Sequence, residues 1–117
     1  MRDHTKLRAF ELADSLALAV YRITRAFPGQ EQFGLTARMR RAAVSTPCNI
    51  FEGCARHSEA DYVRFLDIAY GSARELQYQS SLAQRLGYLD DEAGANLRSS
   101  CTEVTKVLNG LIRSLRS

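Results

Sequence analysis

The chain has 117 residues, 45% of them hydrophobic, and a formal net charge of +3. That length suits a single domain, residues 1–117, whose core can fold without disulfides or metals. No apolar run approaches the roughly 20 residues of a membrane span, and the start lacks a secretory signal, so no membrane partner is expected. Cys48, Cys54 and Cys101 are odd in number and lack framework spacing, which points to free thiols in a reducing cytoplasm. Fourteen arginines stand against two lysines, and arginine is the better donor to phosphate or carboxylate in planar, bidentate contacts. The charge is uneven: residues 38–58 carry four arginines and one acid, residues 93–117 four bases and one acid, and residues 59–92 three arginines and seven acids. Such asymmetry marks a basic partner-binding side or a network of ion pairs.

The spacing predicts four helices and no strands. The first runs from about Thr5 to Ala26, with Phe10, Ala13, Ala17, Val20 and Thr24 facing inward and Phe27-Pro28-Gly29 ending it. The second begins near Glu31 and lines up Leu35, Met39, Ala42, Thr46, Ile50 and Gly53. Ser58-Glu59-Ala60-Asp61 resembles a capping box with Asp for Glu and opens the third. Its stripe is Tyr62, Leu66, Ala69, Ala73, Leu76, Ser80 and Ala83. Gly87 stops it, and Asp90-Asp91-Glu92 start a fourth with acids that complement its N-terminal dipole. That helix repeats Ala93, Leu97, Cys101, Val104, Leu108, Leu111 and Leu115. Short loops between four such helices imply an all-α, up-and-down antiparallel four-helix bundle.

A second apolar face accompanies the first. Val44, Cys48, Phe51 and Ala55 fall together on helix two, and Ile68, Ser72, Glu75, Gln79, Leu82 and Leu86 form a second seam on helix three. One core cannot cover both seams of both helices, so Val44, Cys48, Phe51, Ile68, Leu82 and Leu86 are the expected homo-oligomer interface.

Pro47 sits in the middle of helix two, where a proline costs about 3 kcal/mol or more. It frees the carbonyl of Ala43, and the Thr46 hydroxyl can reach back to it, so the helix can continue with a bend. The bend presents a polar strip of Arg41, Ser45, Asn49 and Glu52. Glu75, the one acid in an apolar seam, needs a partner. The shared flank predicts an ion pair from Glu75 to Arg41, within a subunit or across an interface, that sets register.

The run GLTARMRRAAVSTPCNIFEG at 34–53 resembles the signature of the four-helix-bundle proteins encoded in 23S rRNA intervening sequences. AVYRITRAFP at 19–28, RFLDIAYGSAREL at 64–76 and LGYL at 86–89 extend the resemblance over nearly the whole chain. The chain departs from that pattern at Thr46, Cys48 and Phe51, where smaller or aliphatic side chains are usual. The family includes the accessory variability determinant of diversity-generating retroelements. The resemblance therefore implies a homo-oligomeric ring, most simply a pentamer, that binds nucleic acid and has a reverse transcriptase as a further partner.

No constellation for catalysis or cofactor binding is evident, and none is expected. His4 and His57 are the only histidines, Cys54 and His57 lack further metal ligands, and no phosphate-cradling glycine motif occurs. Arg98, Lys106, Arg113 and Arg116 share an arc of about 80° on helix four, away from its apolar stripe. Arg22, Arg25, Arg38, Arg40 and Arg56 extend this candidate phosphate surface. The expectation is a cytoplasmic, non-enzymatic, oligomeric accessory protein that binds the backbone of RNA or DNA. The alternative is an adaptor that docks a reverse transcriptase or another protein.

Overall fold

The computed structural model describes residues 2–117; Met1, the first residue of the expected domain, lies outside them. Four helices span Arg8–Thr24 (α1), Leu35–Cys54 (α2), Glu59–Arg85 (α3) and Asp91–Arg116 (α4), with short 3-10 turns at His4–Lys6 and Gly29–Glu31. No strand occurs among the described residues. Each helix packs on its chain neighbours, and α1 closes against α4. The body measures 43 × 23 × 19 Å, close to the length of α3 alone at about 1.5 Å per residue.

Local chemistry sets the boundaries. Ser58 Oγ accepts from the Asp61 amide at 3.1 Å and Asp90 Oδ1 from the Ala93 amide at 2.7 Å, capping α3 and α4. Gly87, at φ 83°, ends α3. The amides of Gly87 and Tyr88 return to the carbonyls of Gln84 and Ala83, a Schellman pattern that requires the left-handed residue. Two starts differ from the sequence expectation. Asp3 accepts from the Thr5 amide and hydroxyl, which closes a separate 3-10 turn, so α1 begins at Arg8 and not Thr5. The α2 start moves from Glu31 to Leu35 because Gly29–Glu31 forms its own turn. Glu31 Oε1 then accepts from the Leu35 amide at 3.1 Å, capping from outside the helix.

The expected stripes of α2 and α3 are buried throughout. On α1 the buried set is Ala9, Ala13, Leu16, Val20 and Thr24; Phe10 and Ala17 turn aside toward α2 and are half-buried. On α4 the heptad holds through Leu108, after which Ile112 is buried and Leu111 and Leu115 are only half-buried. A strict seven-residue repeat drifts about 20° per heptad on a straight helix, enough to hand the last core position to the next residue. Helices α2 and α3 approach closely at Gly53, where an added Cβ would lie 2.9 Å from Phe65 Cβ.

Helix α2 runs unbroken through Pro47. Thr46 Oγ1 donates to the Ala42 carbonyl at 3.0 Å, not to Ala43 as the sequence suggested. The hydroxyl takes the carbonyl one full turn back, the usual reach of a helical threonine.

Candidate nucleic-acid and assembly surfaces

The arginines divide by what the fold puts beside them. On α4, Arg98 is half-buried and donates to Gln84 Oε1 of α3, and Arg116 pairs with Asp67 of α3. Lys106 and Arg113, between them on the strip, are exposed and form no side-chain hydrogen bond or ion pair among the described residues. The four-residue strip is thus half taken up in holding α4 to α3. At the far end of α1 and the start of α2, Arg40 Nε donates to Thr24 Oγ1 at 2.8 Å, and its guanidinium lies 4.8 Å from the Tyr21 ring centroid. Arg56 reaches the Glu52 carbonyl and stacks on Phe65. These two fasten helices together. Arg22, Arg25 and Arg38, together with Arg41, remain exposed and unpaired among the described residues.

The polar strip is real but differently wired. The Ser45 and Ser72 hydroxyls hydrogen-bond across α2 and α3 at 2.8 Å, and Asn49 Nδ2 donates to the Ser45 carbonyl and hydroxyl at 2.8 and 3.0 Å. Arg38, Arg41, Ser45, Ser72 and Glu75 line one open groove of about 410 Å³. The expected ion pair does not form within the chain: no contact among the described residues joins Glu75 to Arg41, and both are exposed. Glu75 Oε2 instead accepts from Gln79 Nε2 at 3.3 Å. An exposed carboxylate keeps its hydration and does not need a buried partner. Gln79, expected in the open seam, is only 6% exposed, and its Oε1 is buried without a partner. The Glu52 side chain is exposed and joins none of these bonds.

The apolar seams also separate. Val44, Cys48, Phe51, Ile68 and Leu86 are exposed, Phe51 by 53%, whereas Leu82 packs against the core. The α2 seam faces α1 more than α3. Phe10, Asp14 and Ala17 of α1 join Val44, Pro47, Cys48 and Phe51 around an apolar cleft of about 270 Å³. The His4 ring covers one end, 4.7 Å from the Phe10 centroid and 4.4 Å from that of Phe51. Arg2 latches beside it, its amide on the Cys54 carbonyl at 2.9 Å and its guanidinium 3.9 Å from the Tyr62 centroid. The sequence gives His4 no role beyond its being one of two histidines. Phe10 and Ala17, seven residues apart and expected in the core, carry the spacing that signals this shared face.

Two of the three thiols are sheltered, Cys48 being the exposed one. Burial pushes the Cys101 thiol up to about 11 and raises Cys54 as well, while His57 is exposed past the end of α2. No cluster of three His, Cys, Asp or Glu suited to a metal occurs among the described residues. No helix is long and apolar enough to cross a membrane.

An all-α chain of four helices, with unpaired arginines at one end and polar and apolar grooves along its sides, defines the class. Residues 5–110 match the 23S rRNA-intervening sequence protein family, and the chain belongs to that family. It is also similar to a solved Bacteroides thetaiotaomicron protein described as of unknown function and from the S23 ribosomal protein family. The identity is 25%, the match covers 89% of this chain and 97% of that one, and the TM-score is 0.80. No curated protein matches.

Proposed function

We propose that the protein is a non-enzymatic, oligomeric accessory factor that binds nucleic acid through its phosphate backbone. The observation that carries this reading is the set of exposed, unpaired cations: Arg22, Arg25, Arg38 and Arg41 where α1 ends and α2 begins, and Lys106 and Arg113 on α4. Exposed cations that form no ion pair among the described residues can each displace a counterion from a phosphate. Arg98, Arg116, Arg40 and Arg56 support the surface from behind by holding helices in place. Assembly uses the exposed apolar residues Val44, Cys48, Phe51, Ile68 and Leu86, in a closed ring for which the family resemblance suggests five subunits. Copies of the cationic end around such a ring gain from multivalency.

The test is the salt dependence of binding to a generic duplex and to single-stranded RNA, followed by fluorescence anisotropy. Log affinity falls linearly with log salt, and reversing Arg22 and Arg25 together to glutamate shallows the slope by about one unit per cation. Sedimentation of Phe51→Glu shows a shift from the wild-type assembly toward monomer, because an unpaired charge is costly in an apolar contact. Binding that ignores salt refutes the phosphate reading. A wild type that sediments as a monomer at micromolar concentration refutes the ring. A chain that assembles but binds no nucleic acid at low salt is instead an adaptor, docking a protein such as a reverse transcriptase through the apolar cleft.

A further inference from the structure

Phe33 is 89% exposed, the most exposed of the large hydrophobic side chains among the described residues. Its ring makes no aromatic contact, although four other aromatic pairs are packed elsewhere. Burying a phenylalanine is among the larger single gains a small domain can make, and this one is left in water.

The loop that carries it is firmly bonded. Gln32 donates its amide to the Gly29 carbonyl at 3.1 Å, Gly34 to Glu31 at 2.9 Å, and Arg38 to Gly34 at 3.1 Å. The Glu31 carboxylate accepts from the Leu35 amide through one oxygen and from the Tyr88 hydroxyl at 2.9 Å through the other, tying the loop to the α3–α4 turn. An added Cβ at Gly34 would lie 2.6 Å from Glu31 Oε1. The backbone on both sides of Phe33 is therefore held, and the ring stands out from a fixed base.

Its surroundings are cationic on one side. The loop joins the end of α1, with Arg22 and Arg25, to the first turn of α2, with Arg38; all three are exposed and unpaired among the described residues. The acids at the same end are Glu31 of the loop and Asp90, Asp91 and Glu92 of the α3–α4 turn. The two oxygens of Glu31 are taken by Leu35 and Tyr88, and Arg38 partly balances its charge. Asp90 caps Ala93, and Asp91 accepts from Gln84. An outward aromatic on a loop whose adjoining helix ends carry exposed arginines combines the two elements of single-strand recognition: a π-face for a base and cations for the adjoining phosphates. An apolar protein pocket would accept the ring but would have to desolvate the arginines without matching charge.

We infer that Phe33 is a stacking platform for an unpaired nucleobase, with Arg25 and Arg38 holding the flanking phosphates. The protein thereby prefers single-stranded or looped nucleic acid over a continuous duplex. This rests on the nucleic-acid reading above and adds to it which form is bound and where a base sits.

The chain has no tryptophan, so Phe33→Trp installs a single reporter at an exposed position that the fold does not depend on. Titration with a short single-stranded oligonucleotide quenches its emission, with the same midpoint as anisotropy of the labelled strand. A blunt duplex of equal length leaves the emission nearly unchanged. Phe33→Ala weakens single-strand affinity about 5- to 150-fold, the range spanned by stacking one base, with the salt slope and the sedimentation of the protein unaltered. Phe33→Leu recovers little of that loss. The inference is overturned if strands bind without quenching or if leucine restores full affinity, since the contact is then simple apolar packing. It is also overturned if Phe33→Ala changes the assembly state, since the ring then meets a second copy. In the first two cases the phosphate reading survives, because binding itself persists. If the wild type binds no oligonucleotide at low salt, both readings fall together.

Discussion

Among the glycines inside the long helices, Gly53 and Gly110 have opposite surroundings, and alanine at each should move stability in opposite directions. At Gly53, near the end of α2, an added Cβ would lie 2.9 Å from Phe65 Cβ, 3.3 Å from Tyr62 Cδ1 and 3.5 Å from the Tyr62 carbonyl oxygen. The nearest atom is bonded directly to the α3 backbone, so it cannot swing away as a side-chain tip can. Relief requires α2 and α3 to separate by some tenths of an ångström where buried Gly53 meets half-buried Phe65 and buried Tyr62. Overpacking of this kind costs roughly 1–3 kcal/mol. Alanine returns about 0.5–1 kcal/mol of backbone entropy in a helix, and less in its last turn. The net expectation for Gly53→Ala is a loss of about 1–2 kcal/mol, which for a chain this size lowers Tm by roughly 3–10 °C. Gly110 of α4 is exposed with nothing within 4 Å of its added Cβ. Gly110→Ala should therefore gain about 0.5–1 kcal/mol and raise Tm by a few degrees. Thermal and urea unfolding followed by circular dichroism, at one fixed protein concentration, measures both. If Gly53→Ala stabilises the protein as Gly110→Ala does, the close α2–α3 approach is not what sets the glycine at that position.

Two further expectations follow from burial and hydrogen bonding. Cys48 is exposed in the single chain while Cys54 and Cys101 are buried with raised pKa values. A thiol reagent at neutral pH should therefore label Cys48 quickly in a monomeric variant such as Phe51→Glu, and more slowly where the proposed assembly covers it. The other two should react only in denaturant; rapid native labelling of Cys101 would contradict its place in the core. Glu31 is held below its usual value of 4.5, chiefly by the Leu35 amide and then by the Tyr88 hydroxyl. Folding therefore favours its carboxylate, and that contribution is complete above pH 4.5 and fades as pH falls through the lowered folded-state value. The Tm gap between wild type and Glu31→Gln should be present at pH 7 and shrink progressively as pH falls below 4.5; a gap unchanged in acid would refute the clamp.

Much of the helical frame was legible because periodicity is a backbone property. The α2 and α3 stripes read directly from four–three spacing, and Ser58, Gly87 and Asp90 act on amides and carbonyls within a few residues of themselves. The starts of α1 and α2 were not legible, because Asp3 and Glu31 draw short turns of their own out of what reads as continuous helix.

What stood beside each flank was decided only in three dimensions. Spacing shows that Val44, Cys48 and Phe51 share a face, but not that Phe10 and Ala17 would come to stand across from it. It places Arg98 and Arg116 on one strip with Lys106 and Arg113, yet Gln84 and Asp67, fourteen and forty-nine residues away, engage the first pair and leave the second free. It made Glu75 the acid of an apolar seam, whereas the packed helices leave that carboxylate in water beside Gln79. Phe33 belongs to no periodic pattern, so nothing along the chain distinguished it from a core aromatic. Helix period determines which side of an element faces inward. The neighbour that meets the other side depends on how four helices settle against one another, through contacts between residues far apart in the chain.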